Sequence, residues 1–292
     1  MPHPQAKLAV IGGTGLYDIE GVEGVEEYAI ETPFGQPSGK IAVGRLGATS
    51  VAFLPRHGKN HTISPTEVPS RANIYALKSL GVEWIIAVNS CGSFKEELRP
   101  GHLLIPDQII DRTRNRTGTF FGEGIVVHIQ FADPFCPALS HIVYEAATEA
   151  GAPAHLGGTF IAMEGPAFST RAESRLYRDW GADVIGMTVL PEARLAREAE
   201  ICYASIACIT DYDSWHETNE TVTIAAILAV QAQNIHAAKE TIQRAAGKLT
   251  GTRDCECASA LGPAIVTDPA LIPDKQKKKL DLLIGKYIGG EG

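Results

Sequence analysis

Apolar positions follow two periods along this chain, and the two alternate. Continuous short apolar runs over residues 7–11, 84–88, 103–111, 158–163, 182–185 and 201–208 read as buried strands, because each is bounded by Gly, Pro or small polar residues. Three further strand-like runs, 27–31, 40–44 and 50–54, are separated only by Pro/Gly turns, which predicts an antiparallel part of the sheet. Helical spacing covers 70–80, 137–150, 170–180, 191–200 and 220–249. The third of these opens with Thr170-Arg171-Ala172-Glu173, a capping-box pattern. Residues 112–135 read as loop, with Arg112, Arg114 and Arg116 taken as solvated. Strand and helix alternate after residue 70, so the fold class is α/β. The predicted division is a single domain over 1–250, then an extension over 251–292 holding a short helix near Lys275, Lys277, Lys278 and Lys279.

Several predicted strands end in small polar or charged residues: Thr14, Arg56, Ser90, Glu164, Thr188 and Asp211. Ligand sites in α/β sheets gather at strand C-termini, so the recurrence points to one site built there. Gly12-Gly13-Thr14-Gly15 is a turn whose N–H groups could line an anion. It is neither a dinucleotide fingerprint, since the third glycine position is Asp18, nor a lysine-bearing phosphate loop. Arg56, beside His57 and Gly58, suits bidentate phosphate binding as well as it suits a solvated basic loop.

The costliest of these strand ends is Ile209-Thr210-Asp211-Tyr212-Asp213, directly after the apolar run 201–208. Carboxylates resist low dielectric, so they must be paired, protonated or met by a ligand. One reading makes one Asp a helix cap and leaves the other in water. Alternatively, period 2 puts both carboxyls on one face, aimed at a ligand.

Composition narrows the field. The chain has 292 residues, 45% hydrophobic and 21% charged, ordinary values for a globular protein. A net charge of −8 argues against nucleic acid or an anionic membrane as partner. No apolar run reaches the roughly 18 residues of a membrane helix, and the N-terminal residues lack the form of a signal peptide, so a cytoplasmic location is expected. Cys91, Cys136, Cys202 and Cys208 read as small core residues, while Cys255-Glu256-Cys257 is a redox pair, a strained disulfide or a chance pair of thiols. His57 and His61 are four apart, but Gly58 argues against the helix a zinc pair would need, and no metal site is expected.

No Gly-x-Ser-x-Gly elbow or zinc-hydrolase motif is present. An oxyanion seat, a carboxyl raised by burial and its neighbour, and the soft surfaces of Phe168 and Met187 suit displacement of a nitrogen heterocycle from a sugar by an anion. Long motifs agree. Gly12-Gly13-Thr14-Gly15-Leu16, Thr32-Pro33-Phe34-Gly35, Arg56-His57-Gly58, His61-Thr62, Gly165-Pro166-Ala167-Phe168-Ser169-Thr170-Arg171-Ala172-Glu173, Gly186-Met187-Thr188-Val189-Leu190-Pro191-Glu192 and Thr210-Asp211-Tyr212-Asp213 resemble the trimeric purine nucleoside phosphorylase superfamily, most of all its methylthioadenosine-cleaving branch. The resemblance implies a three-layer α-β-α fold with a central mixed β-sheet. It implies phosphorolysis of S-methyl-5′-thioadenosine to adenine and 5-methylthioribose 1-phosphate, with inorganic phosphate as co-substrate and no cofactor. Carried over by position, Thr14, Arg56, His57, Asn89, Ser90 and Thr188 would hold phosphate. Met187 would underlie the ribose, Phe168 would stack on the base, and Asp211 and Asp213 would protonate N7 and accept from the 6-amino group. Ile224, Ile227 and Leu228 would close an apolar 5′ pocket, unless they are plain helix core, and His128 would come from a neighbouring subunit of a homotrimer with shared sites. At 89–90 the family often has Thr-Ala, and where Gly186 stands close relatives often carry Asn. The competing readings are a phosphorylase for inosine, guanosine or methylthioinosine, and a nucleoside-binding protein without turnover.

Overall fold

The computed structural model describes residues 4–13, 16, 20–216, 224–249, 251 and 253–288, with the side chains of 225–229 also outside the described set. Among them run β1 (Leu8–Gly12), β2 (Val22–Tyr28), β3 (Ile41–Leu46), β4 (Thr49–Pro55), α1 (Ser70–Ser79), β5 (Trp84–Ser93), β6 (Leu103–Ile105), β7 (Gln108–Arg112), α2 (Pro137–Glu149) and β8 (Ala154–Leu156). There follow β9 (Thr159–Met163), α3 (Arg171–Asp179), β10 (Val184–Gly186), α4 (Val189–Glu198), β11 (Cys202–Tyr212), α5 (Ile224–Lys248) and α6 (Asp274–Ile288).

The strands form one mixed sheet, ordered β2-β3-β4-β1-β5-β10-β9-β7, with β11 joining β5 to β6 and β6 joining β8. The antiparallel part is β2-β3-β4. β5 is the hub. It pairs parallel with β1 and with β11, and its last two residues pair antiparallel with β10. These central strands read as unbroken apolar runs because both of their faces are covered. Ala9 and Ile11, Ile85 and Ala87, and Tyr203 and Ala207 pack in a core with residues of α1, α4 and α6. Leu8 and Val10, Ile86 and Val88, and Ala204 and Ile206 pack on the other side with α2 and α5. The result is the three-layer α-β-α arrangement. α3 opens with both bonds of its capping box: Thr170 Oγ1 accepts from Glu173 N–H, and Thr170 N–H donates to Glu173 Oε2. Among the described residues, no helix is long and apolar enough to cross a membrane.

Some elements differ from expectation. Residues 103–111 are two strands, since Pro106 lacks the N–H to continue a ladder and Asp107 turns to accept from Gly158 N–H at 2.9 Å. β6 and β7 then join different neighbours. The first antiparallel strand lies at 22–28, an exposed edge, and β8 is too short to show a pattern.

The described residues beyond 251 pack on the domain. Leu261, Ile272, Leu280, Leu283 and Ile284 lie in the α1/α4 core. Glu200, 2% exposed, fastens them: it accepts from Leu261 N–H at 3.1 Å and Tyr287 O–H at 2.5 Å, and pairs with Lys286 at 2.5 Å. Replacing Glu200 with Ala strands these donors, so Glu200→Ala should cost about 2–4 kcal/mol and expose α6 to proteolysis. Denaturant melts and limited digestion check this; wild-type stability would contradict the anchoring.

Candidate active site

β1, β4, β5 and β11 run parallel, so Gly12, Arg56, Asn89 and Asp211 arrive at one edge of the sheet. β10 runs back against β5 and returns Met187 and Thr188 to the same place. There Asn89 Nδ2 donates to Thr188 Oγ1 at 2.7 Å, while Ser205 Oγ donates to Asn89 Oδ1 at 2.9 Å. Asn89 is therefore held by both its amide atoms, and Ser90 beside it is exposed. Thr14 lies outside the described residues.

Arg56 is 2% exposed and does not sit in a solvated loop. Its Nε and Nη2 meet both carboxylate oxygens of buried Glu192, the latter at 3.1 Å, and Nη1 donates to Val88 O at 2.8 Å. Tyr203 O–H donates to the same carboxylate at 3.1 Å. One bidentate edge of the guanidinium, Nε with Nη2, is thus held by Glu192. This refines the expectation for Arg56: it ties strand ends together and contributes a partly neutralised positive charge. His57 Nδ1 donates to Ile63 O at 2.8 Å, which leaves Nε2 as the acceptor of a neutral ring. Burial, helped by the Arg56 charge, lowers the His57 pKa to about 4, so the ring is neutral at pH 7.

The acid pair is brought together by a bulge. Between Ile209 and Asp211 the β11–β5 register slips, Thr210 being the extra residue. A Cβ on Gly92 would come within 3.1 Å of Asp211 Oδ1 and 3.2 Å of Asp213 Cβ, so both acids pack over this one glycine. The next described helix is α5 from Ile224, and residues 217–223 before it lie outside the described residues. Asp213 is buried and accepts from Ser169 O–H at 2.6 Å. Burial raises its pKa, and the Ser169 hydroxyl works against that rise. Asp211 is partly buried. Burial pushes its pKa up to about 6; the Thr210 hydroxyl, 2.7 Å away, opposes the rise and the Asp213 charge adds to it. The pair thus holds one carboxyl poised near neutrality and one anchored by a donor, which is how a site separates acid from acceptor.

Beside the acids stand Phe168, 50% exposed, and Met187. Phe168 adjoins Ser169, so the bond to Asp213 also positions this loop. A Cβ on Gly165 would meet Met187 Sδ at 2.5 Å, and its φ of +71° independently favours glycine. Gly186 likewise has no room for the Asn of close relatives, because a Cβ there would come 2.7 Å from Phe160 Cζ.

The residue that sequence reasoning missed is Arg116. Its side chain, far from solvated, is 4% exposed. Nη1 donates to Met187 O and Leu190 O at 2.5 and 2.9 Å, and Nη2 donates to Glu164 O at 2.5 Å. It therefore clamps the Phe168 loop against the Met187 turn. The signal was Glu164, a charged strand end that needed a cation: Arg116 Nε lies 3.2 Å from its Oε1. A cavity of 190 Å³ lies beside Arg116, over Phe34, Thr66 and Arg71, and not over the acid pair.

Other expected residues fall away from this cluster or outside the description. Ile224 opens α5 and is 71% exposed, and Ile227 and Leu228 belong to α5 with side chains outside the described set. His128 is exposed, and its N–H donates to Ala264 O at 2.9 Å in the C-terminal extension. Among the described residues the group able to hold a metal is Cys136, Cys202, Cys255 and Cys257, at the far end of β11 from Asp211.

Comparison with known proteins agrees with this geometry. The profile of the phosphorylase superfamily matches residues 7–246. The S-methyl-5′-thioadenosine phosphorylase of Geobacter sulfurreducens is 56% identical over 96% of this chain and 99% of its own length. That of Koribacter versatilis is 51% identical over 98% of each. A methylthioadenosine phosphorylase from an antarctic soil metagenomic library superposes with a TM-score of 0.91, at 43% identity, over 96% of this chain and 99% of that one. The Schistosoma mansoni methylthioadenosine phosphorylase in complex with adenine reaches 0.80 at 35% identity, over 85% and 93%. With a match across most of its length, and strand ends that assemble one acidic and polar site, this chain belongs to the phosphorylase superfamily.

Proposed function

We infer that the chain cleaves S-methyl-5′-thioadenosine with inorganic phosphate, releasing adenine and 5-methylthioribose 1-phosphate. The observation that carries this reading is the acid pair over Gly92, with Asp211 raised to about 6 and Asp213 anchored by Ser169. The names of the relatives support the same substrate.

Phosphate oxygen attacks C1′ as the bond from C1′ to the purine nitrogen breaks, and the bonding electrons leave with the base. Positive charge grows on the ribose and negative charge on the purine. The phosphate seat combines the Thr188 hydroxyl, Asn89 and the exposed Ser90, with the Arg56 charge behind them. A neutral His57 offers Nε2 to accept from the P–OH of phosphate. Asp211 gives its proton to N7, which relieves the charge on the departing base. Asp213 accepts from the 6-amino group, and a 6-oxo purine would present an acceptor there instead. Phe168 stacks on the base and Met187 lies under the sugar, held by Arg116. The reaction needs no cofactor beyond the phosphate.

A homotrimer in the cytoplasm completes the reading. Phe168 is half exposed beside the acids, and a neighbour bringing His128 would cover it.

Three rates test the substrate. With methylthioadenosine, adenine should appear only when phosphate is present, and inosine should react on the order of a hundredfold or more slowly, since its 6-oxo group leaves Asp213 unpaired. Phosphate-independent release, or a preference for inosine, would contradict the assignment. The role of Asp211 has a pH signature. A general acid works protonated, so at saturating phosphate kcat/KM should fall as pH rises above about 6. Asp211→Asn should lower kcat by about 10²–10⁴ and flatten that limb. A variant that keeps the limb would place the acid elsewhere.

A further inference from the structure

We propose that Cys136, Cys202, Cys255 and Cys257 form a tetrathiolate site for a structural Zn²⁺ ion. Their four sulfurs all lie within 4.8 Å of one another. They come from three separate places in the chain. Cys136 is the residue before α2, Cys202 opens β11, and Cys255 and Cys257 stand on either side of Glu256 at the start of the C-terminal extension. The backbone fixes the first two relative to each other, because Cys136 N–H donates to Tyr203 O at 2.8 Å.

Zinc held about 2.3 Å from four sulfurs sets them about 3.8 Å apart, and disulfide sulfurs sit about 2.05 Å apart. The Cys202 and Cys255 sulfurs are 3.3 Å apart, outside bonding distance and close to a tetrahedral edge. Cys136, Cys202 and Cys257 are buried and Cys255 is partly exposed, so the cluster is closed on three corners and open to an entering ion at the fourth. Four thiolates with one Zn²⁺ carry a charge of −2, and two features of the protein offset it. The Cys136 sulfur sits at the N-terminal, positive end of the 13-residue helix α2, and the Arg197 guanidinium acts on Cys257 as a neighbouring cation. An all-sulfur set selects a thiophilic ion over magnesium or calcium. On binding, the thiol protons pass to solvent.

Four protein ligands leave no coordination position open, so the site is structural. Asp211 lies nine residues along β11 from Cys202, about 30 Å away. The ion would staple residues 255–257 to the sheet and to α2, on the face opposite the core where Glu200 fastens the rest of the extension. The CxC spacing hid the site from sequence reading, because its other two ligands lie more than 50 residues upstream.

The test uses the full chain purified under reducing conditions without chelator. Elemental analysis should find about one zinc per chain, and the metal-free protein titrated with Co²⁺ should show tetrathiolate absorption. Cys255→Ser with Cys257→Ser should abolish both and lower the melting temperature. Phosphorolysis by the folded double variant at low temperature should stay within about twofold of wild type. Thiol titration of a parallel preparation purified without reductant, then unfolded, should count six free thiols once zinc is chelated. Zinc-free protein with six free thiols, a count lowered by disulfides, or iron in place of zinc would each overturn the proposal.

Discussion

The buried pair of Arg56 and Glu192 is the contact on which the rest of the site depends. Both side chains are at most 2% exposed, and neither charge could sit there alone. Through it β1, β5, β11 and α4 share one polar junction: Ile11 O and Val88 O accept from the guanidinium, and Tyr203 donates to the carboxylate. Breaking such a pair typically costs about 3–5 kcal/mol, because the remaining partner stays buried. The junction sits immediately before Asn89 and His57, so it fixes where these two proposed phosphate ligands begin. It also leaves a site of mixed character. The anion meets hydroxyls, amides and a neutral imidazole, with an already half-satisfied cation behind them.

The acidic half of the site is built by a different device. A bulge at Thr210 and the missing side chain at Gly92 let two carboxyls occupy one spot. Burial then makes both reluctant to ionise, and the local donors differ: Thr210 faces Asp211 and Ser169 faces Asp213. One sheet edge thus brings together Asn89, Thr188 and Asp211, with Met187 following β10. In the proposed reaction the sugar of a nucleoside would span that edge, with C1′ facing the anion and the base facing the acid.

Much of this was legible in the chain. The apolar runs located the central strands because strands covered on both faces need no polar positions. Polar strand ends marked residues that gather at one sheet edge, and the Thr170–Glu173 capping box forms as expected. What could not be read was pairing at a distance. Nothing local to Arg116 distinguishes it from Arg112 or Arg114, and its burial depends on carbonyls at 164, 187 and 190. Arg56 was found, but its partner Glu192 was not, since that contact joins a strand end to a helix 136 residues away. The same holds for the cysteines, whose spacing in sequence says little about four sulfurs meeting in space. Pro106 is the exception: its missing N–H is visible in the sequence and marks the break between β6 and β7.

The most direct measurement of the central claim is a crystal structure of the chain with adenine and phosphate bound. N7 should lie within about 3 Å of an Asp211 oxygen, the 6-amino group on Asp213, and phosphate against Thr188 and Asn89. Adenine bound away from the acid pair, or phosphate seated elsewhere than the Asn89–Thr188 edge, would contradict it.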